Sequence, residues 1–273
     1  MKKTLKILFL VGLLLFIVGI VGTIYYTFFN QQSKVHYDKI EKKFDTSQIK
    51  SLHIEAKGKD VEFTTGNQLK IEGAFTDKKN AIQAKQHQQQ LNINIKGNDA
   101  VEPRINVNPF KDVERHKVLI TIPKSKLDEL SLKSAKSAMN IEQLNINKLS
   151  VDTDSGSIVI NHSQIDTLNA QIGSGFIESE STDYKEILIH NRLGHTDLSD
   201  VPIDIPITIE NEKGGVEVTY KTQPRNTRFD IQNRYGNVDL EDIENLKHKQ
   251  VGEGQHRVVI KNKTGYVTFS TDD

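Results

Sequence analysis

Beyond residue 44 the apolar residues fall two apart in short alternating pairs, and successive pairs bracket a glycine. Counting that glycine as zero, positions −7, −5, +2 and +4 are apolar. Leu149, Val151, Ile158 and Ile160 surround Gly156, and Phe229, Ile231, Val238 and Leu240 surround Gly236. The frame runs through Gly156, Gly175, Gly194, Gly214, Gly236 and Gly265, at spacings of 19, 19, 20, 22 and 29 residues. It extends backwards with Ser137 in place of glycine (Leu130, Leu132, Met139, Ile141) and again at Lys59 (Leu52, Ile54, Val61, Phe63). With Ala170 counted as apolar, Ser179 and Thr196 are the exceptions. Alternation with a period of two marks a strand with one buried face, and glycine between two such strands permits a sharp corner. Each unit therefore reads strand, corner, strand, and a fixed period near twenty residues marks a repeat architecture.

Two folds suit this unit: a β-solenoid of stacked coils, or a meander of antiparallel hairpins. The connectors favour the solenoid. Glu142 to Lys148 contains Leu144 and Ile146, and Ser199 to Pro206 contains Val201, Ile203 and Ile205, which supplies a third side to each coil. The lengthening period places insertions at corners near Pro224 and Gly252. The frame breaks between Thr64 and Glu129. There Val61 to Phe63, a Thr65-Gly66-Asn67 turn and Leu69 to Phe75 predict a hairpin, with further strands at Leu91 to Ile95 and Val118 to Ile122. A solenoid end leaves backbone groups unpaired, so this irregular region is expected to cap the N-terminal edge. A long segment from Gly97 to His116 carries Arg104, Phe110, Lys111, Arg115 and His116; it reads either as a mobile loop or as a binding loop.

Ahead of the repeats, Ile7 to Phe29 has no formal charge, and as a helix would reach roughly 34 Å, enough to span a bilayer core. Tyr25, Tyr26, Phe28 and Phe29 close the run without an Ala-x-Ala cleavage pattern, which favours an uncleaved signal anchor over a signal peptide. Lys2, Lys3 and Lys6 orient the N-terminus to the cytoplasm. The expected organisation is a cytoplasmic head (1–6), a single-pass transmembrane anchor (7–29), a linker (30–43) and an extracytoplasmic β-solenoid domain (44–273) whose capping region is 64–129. The 273 residues carry 36 basic and 36 acidic side chains. With the three lysines set aside the remainder is net −3, which excludes the basic footprint of a nucleic-acid binder. The absence of Cys removes disulfides, thiolate metal sites and cysteine nucleophiles.

Asn191, Asn211, Asn233 and Asn262 each stand three residues before a frame glycine. They read as corner residues or a stacked amide ladder, with ligand binding as the alternative. Glu178, Asp197, Glu217 and Asp239 share position +3, so a solenoid would stack them outward in a column. The column is either solvated surface or a strip that binds a cation or a cationic peptide, because adjacent like charges welcome a counter-ion. Asp152-x-Asp154-x-Gly156 resembles the start of a calcium loop but lacks the later bidentate acid. The nine His show no ligand-pair spacing, and His190 and His195 read as a solvated corner. Ser174 lacks a nucleophile elbow. No catalytic, cofactor or metal residue is assigned.

The Lys-rich head, the single span, the opening segment Phe44-Asp45-x-x-x-Ile49-Lys50-x-Leu52-x-Ile54 and the glycine-cornered repeats resemble the putative-adhesin family of bacterial envelope proteins, which includes LiaG-like membrane proteins of Gram-positive bacteria. The resemblance covers roughly residues 44 to 271. It implies a β-solenoid outside the cytoplasmic membrane, linked to envelope stress response or surface adhesion, and carries over no catalytic residue. The expected protein is a non-enzymatic, membrane-anchored binding protein whose partners are a membrane regulator, a wall polymer or a cationic peptide. The alternative is a carbohydrate-active β-helix enzyme acting on wall or extracellular polysaccharide.

Overall fold

The computed structural model describes residues 2–29, 38–96, 117–124 and 127–272. Helix α1 (Lys2–Phe29) forms one unit. Its Lys6–Thr23 stretch has a mean hydropathy of 2.5 and is long and apolar enough to cross a membrane. From Asp38 onward the chain is a second compact unit whose described residues lie mostly in strands. These are β1 (Asp38–Phe44), β2 (Ser51–Gly66), β3 (Leu69–Phe75), β4 (Ile82–His87), β5 (Gln90–Lys96), β6 (Val118–Pro123), β7 (Leu127–Glu142) and β8 (Asn145–Asn161). They continue as β9 (Gln164–Glu180), β10 (Asp183–Val201), β11 (Ile207–Lys213), β12 (Val216–Tyr220), β13 (Thr227–Tyr235), β14 (Val238–Asp239), β15 (His256–Thr264) and β16 (Val267–Thr271). β1 begins inside the stretch expected to be linker.

The unit is a parallel β-solenoid. β7, β8, β9 and β10 stack in register, so that Leu130, Leu149, Leu168 and Ile187 form one buried column and Met139, Ile158, Ile177 and Thr196 another. Each long strand bends twice. Pairing skips Asp128, Asn147, Asp166 and Lys185, and it skips again just before the frame position, at Ala135, Asp154, Gly173 and Arg192. Between coils the chain turns through Gln143, His162, Ser181 and Asp200, which all have φ near +50°. Three corners per coil give the third side, and Leu144 and Ile146 on it are buried. At that turn Ser163 Oγ accepts the Leu144 N–H at 3.1 Å and Thr182 Oγ1 accepts the Ser163 N–H at 3.3 Å, so small hydroxyl residues satisfy the turn backbone from the next coil.

Gly175 shows why the corner column is glycine. Its φ is +148°, and a Cβ there would lie 1.8 Å from the carbonyl oxygen of Gly156 in the coil beneath. The asparagines close these corners. Asn191 Nδ2 donates to Gly175 O (3.4 Å) in the neighbouring coil and to His195 O (3.1 Å) across its own corner. Asn262 repeats both bonds to Gly214 O and Tyr266 O, and Asn233 to Gly265 O and Asn237 O. Asn211 donates to Gly194 O. The two polar exceptions in the frame are also buried. Ser179 bonds the Tyr184 hydroxyl at 2.7 Å, and Thr196 sits beside the Asn191 amide.

At both ends the stacking order departs from chain order. The last coil, β15 with β16, lies between the β11/β12 coil and the β13/β14 coil that precedes it in sequence. The segments near Pro224 and Gly252 are the outward and return paths of this exchange. The return path buries Ile243 and Val251 over the outer coil. At the other end, β2 is flanked by β7 on one side and by β5 and β6 on the other. The expected hairpin between Val61–Phe63 and Leu69–Phe75 is therefore not formed. β6 intervenes, parallel to β2 and antiparallel to β3, because Val118, Ile120 and Ile122 bury more apolar surface between two strands than at an edge. The edge is covered by the β4–β5 hairpin and by β1 paired with β3. Where Lys59 replaces glycine, the β2 register slips by a bulge between Ala56 and Asp60.

Candidate functional site

Side chains that point outward from successive parallel strands stack about 4.8 Å apart, so the sign of each column decides whether it satisfies itself. Four residues before the corner the signs alternate. Lys133 Nζ lies 2.8 Å from Asp152, and Glu210 takes Lys261 Nζ at 2.7 Å with His190 Nδ1 at 3.5 Å. The bond from Lys261 first, and then its charge with His190, holds the Glu210 carboxyl below the ordinary carboxylate range. Pairs such as Lys185 with Asp166 and Lys148 with Glu129 continue the pattern elsewhere. A shallow groove of about 440 Å³ runs over the distal part of this face, beside His190, Glu210, Lys261 and Arg234.

Three residues after the corner the pattern is reversed. Glu178 lies opposite Asp197, and Asp197 opposite Glu217. Among the described residues no lysine or arginine forms an ion pair with any of the three. Asp239 does not join them, since the exchange of terminal coils places Thr268 between it and Glu217. A column built on chain order would have made all four neighbours.

Two positions earlier on the same outward face stand Phe176, His195, Gly215 and Tyr266. Phe176 pairs in register with His195, and Gly215 and Tyr266 follow on the next two coils. Gly215 has no side chain, and the Tyr266 ring occupies that space: a Cβ on Gly215 would meet Tyr266 Cζ at 2.3 Å. The ring thereby crosses a whole coil, and its hydroxyl lies 3.3 Å from His195 Nδ1. The two rings are tilted at 48° with centroids 5.9 Å apart. Partial burial first, then the Glu217 and Asp197 charges, raise the Tyr266 phenol above its ordinary value. His195, Asp197 and Glu217, all half-buried, each present a potential ligand atom, and these lie within 4.8 Å of one another.

The six glycines and four asparagines therefore line the corners. Asp152 is engaged with Lys133 and does not form a cation loop with the exposed Asp154. His190 and His195 occupy different faces of the coil. Arg104, Phe110, Lys111, Arg115 and His116 lie outside the described residues. The sequence reading missed His195, Gly215 and Tyr266 as a group. The signal that would have found them is an i, i+2 pair on one strand combined with the same positions one and two coils later.

The fold and its outer columns define a repeat protein with a laddered surface behind an apolar N-terminal helix. The Toastrack DUF4097 family model matches residues 49–205 and 137–272, and the chain belongs to that family. A solved structure titled a putative adhesin from Bacteroides fragilis is similar at 15% identity and a TM-score of 0.49, over 85% of this chain and 97% of that one. Another, titled a putative cell adhesion protein from Clostridium sporogenes, gives 11% identity and a TM-score of 0.37, over 87% of this chain and 100% of that one. No curated protein sequence matches.

Proposed function

We propose that this is a non-enzymatic, membrane-anchored binding protein of the bacterial cell envelope, with α1 as an uncleaved anchor and the solenoid held outside the cytoplasmic membrane as a rigid contact surface. The observation that carries the reading is the contrast between two outer faces of one solenoid. One face pairs its charges across coils, as in Lys133–Asp152 and Lys261–Glu210, whereas the other holds Glu178, Asp197 and Glu217 without a basic partner among the described residues, Asp197 accepting only from the Ser199 hydroxyl, beside Phe176 and Tyr266. A self-neutralised ladder is ordinary surface; an uncompensated acidic column flanked by aromatic rings attracts cationic groups. Catalysis is the weaker reading. Hydrolysis by two carboxyls requires them to flank the scissile bond, and these acids stand side by side on one flank.

Two measurements on the full chain test the proposal. Protease added to intact spheroplasts should degrade the solenoid, and before it is added the membrane-bound form should have the mass of the uncleaved chain; protection from the protease, or a form already shortened before treatment, removes the anchor. Titration with wall polymers, a membrane-regulator peptide or cationic peptides should show binding that Glu178→Gln with Glu217→Gln weakens. Loss of tolerance to envelope antibiotics in a deletion strain points to stress response, and loss of surface attachment points to adhesion. Silence in all of them removes the binding reading.

A further inference from the structure

Only one group of potential metal ligands occurs among the described residues; it joins His195 to Asp197 and Glu217, two members of the acidic column expected from the sequence. We infer that His195, Asp197 and Glu217 form a binding site for a divalent transition-metal ion of the Zn²⁺ or Mn²⁺ type. This goes beyond the binding role proposed above and holds whichever side of the membrane displays the solenoid.

Three independent features of the geometry support the site. The first is the donor set. His195 and Asp197 are two apart on one strand and so share a face, and Glu217 lies opposite Asp197 in register one coil on. One imidazole and two carboxylates suit first-row transition ions better than Ca²⁺, which takes six to eight oxygens. Around a tetrahedral zinc the ligand atoms would stand about 3.3 Å apart, so the present spacing of up to 4.8 Å has to contract by about 1.5 Å on binding.

The second is charge. Elsewhere on the solenoid several acids face a lysine from an adjacent coil, as in Lys133–Asp152, Lys185–Asp166 and Lys261–Glu210. Here two acids face each other with no such partner among the described residues. A bound dication would supply the missing charge.

The third is the support of the histidine. Tyr266 reaches His195 Nδ1 only because Gly215 leaves room for its ring. With Nδ1–H donated to the phenol oxygen, the imidazole is oriented and Nε2 keeps its lone pair. Metal-binding histidines generally fix their second ring nitrogen by such a hydrogen bond, commonly to a carboxylate, a backbone carbonyl or water, and here a phenol oxygen takes that place. The ligands also stand on strands in the interior of the stack, which limits how far they can move. Ligands from two coils, held by a tyrosine from a third, would make the ion a cross-link between neighbouring coils.

The test is calorimetric titration of the tag-free, chelator-treated full chain in detergent micelles with ZnCl₂, MnCl₂ and CaCl₂. The expected result is one saturable Zn²⁺ or Mn²⁺ per chain and much weaker Ca²⁺ binding. His195→Ala, and separately Asp197→Asn with Glu217→Gln, should weaken binding at least about tenfold, and Tyr266→Phe by about tenfold, as loss of an outer-shell partner does. Asp152→Asn, on the self-neutralised face, should change it less than about twofold. Far-UV circular dichroism identifies which variants keep the fold, and Asp197→Asn alone serves if the double substitution does not. No saturable binding, equal affinity in the His195 and Asp197 variants, or Ca²⁺ binding as tight as Zn²⁺ would each overturn the inference.

Discussion

Replacing Gly175 by alanine introduces a methyl group where the stack has no room. The new Cβ would lie 1.8 Å from Gly156 O and 2.8 Å from Gly156 C, so one coil must move against the next by more than an ångström. Two costs follow. Holding alanine at a φ of +148°, a region reserved for glycine, costs about 1–3 kcal/mol. Shifting the corner also breaks the bond from Asn191 Nδ2 to Gly175 O, and a buried polar group left unmet costs about 1–3 kcal/mol. Together these give about 2–6 kcal/mol, a large part of the roughly 5–15 kcal/mol that stabilises a domain. Because Gly175 sits between the coils of Gly156 and Gly194, the damage falls on two interfaces of a nearest-neighbour stack. Guanidinium unfolding of the full chain in micelles, followed by far-UV circular dichroism, should show a lower midpoint or a transition split in two. Exposed Ser174→Ala next to it should stay within about 0.5 kcal/mol. A loss below about 0.5 kcal/mol for Gly175→Ala would refute the close approach of the corners.

Asn191→Ala removes the donor shared by two corner carbonyls and should cost about 1–3 kcal/mol in the same assay; an unchanged midpoint would deny the ladder any structural weight. Burial pushes the Tyr184 and Tyr220 phenols well above their ordinary value, so in an alkaline absorbance titration they should ionise only as the fold is lost; early ionisation of all tyrosines would contradict their burial. Glu210, held low chiefly by the bond from Lys261, and Asp230, held low chiefly by that from Arg257, contribute stability fully present above their ordinary values of 4.5 and 3.8. That contribution fades as pH falls through their lower folded values, so the thermal midpoint should drop on acidification below about pH 4 and less so in high salt, where these exposed pairs are screened. A midpoint that is flat there would count against the pairs. Deleting residues 256–273 should abolish the distal stack, since it removes the partner of β13 and of β14 together; a truncated chain with an unchanged transition would contradict the exchanged order.

The repeat was legible because the buried columns demand apolar residues at fixed offsets from a corner that demands glycine. Leu149 and Val151 before Gly156, with Ile158 and Ile160 after it, state the unit in full. The stacking order at the ends was not legible, for a physical reason. A parallel ladder accepts any coil with the same frame, and Phe229 and Ile231 satisfy the same columns as Val258 and Ile260. Nothing local distinguishes the inner from the outer strand. The chain does bend at Asn67, but Thr65 and Gly66 belong to β2, and the pairing on either side depends on β6, some fifty residues away. The second corner escaped notice because Gln143, His162, Ser181 and Asp200 share geometry and not chemistry. His195 has no partner at the spacings that mark a metal-binding helix, whereas a solenoid assembles a site from residues two apart and one coil apart.

Placing the first long strand and the last one inside the stack has a consequence for how the molecule wears. An array whose end pieces are also the chain ends can peel off one layer at a time, each step exposing fresh backbone to a peptidase. Here neither β2 nor β15 can leave without parting two neighbours at once. The same arrangement delays completion during synthesis, because β13 has no strand to lie against until β15 has emerged. Slow closure and resistance to unzipping are two results of one topology.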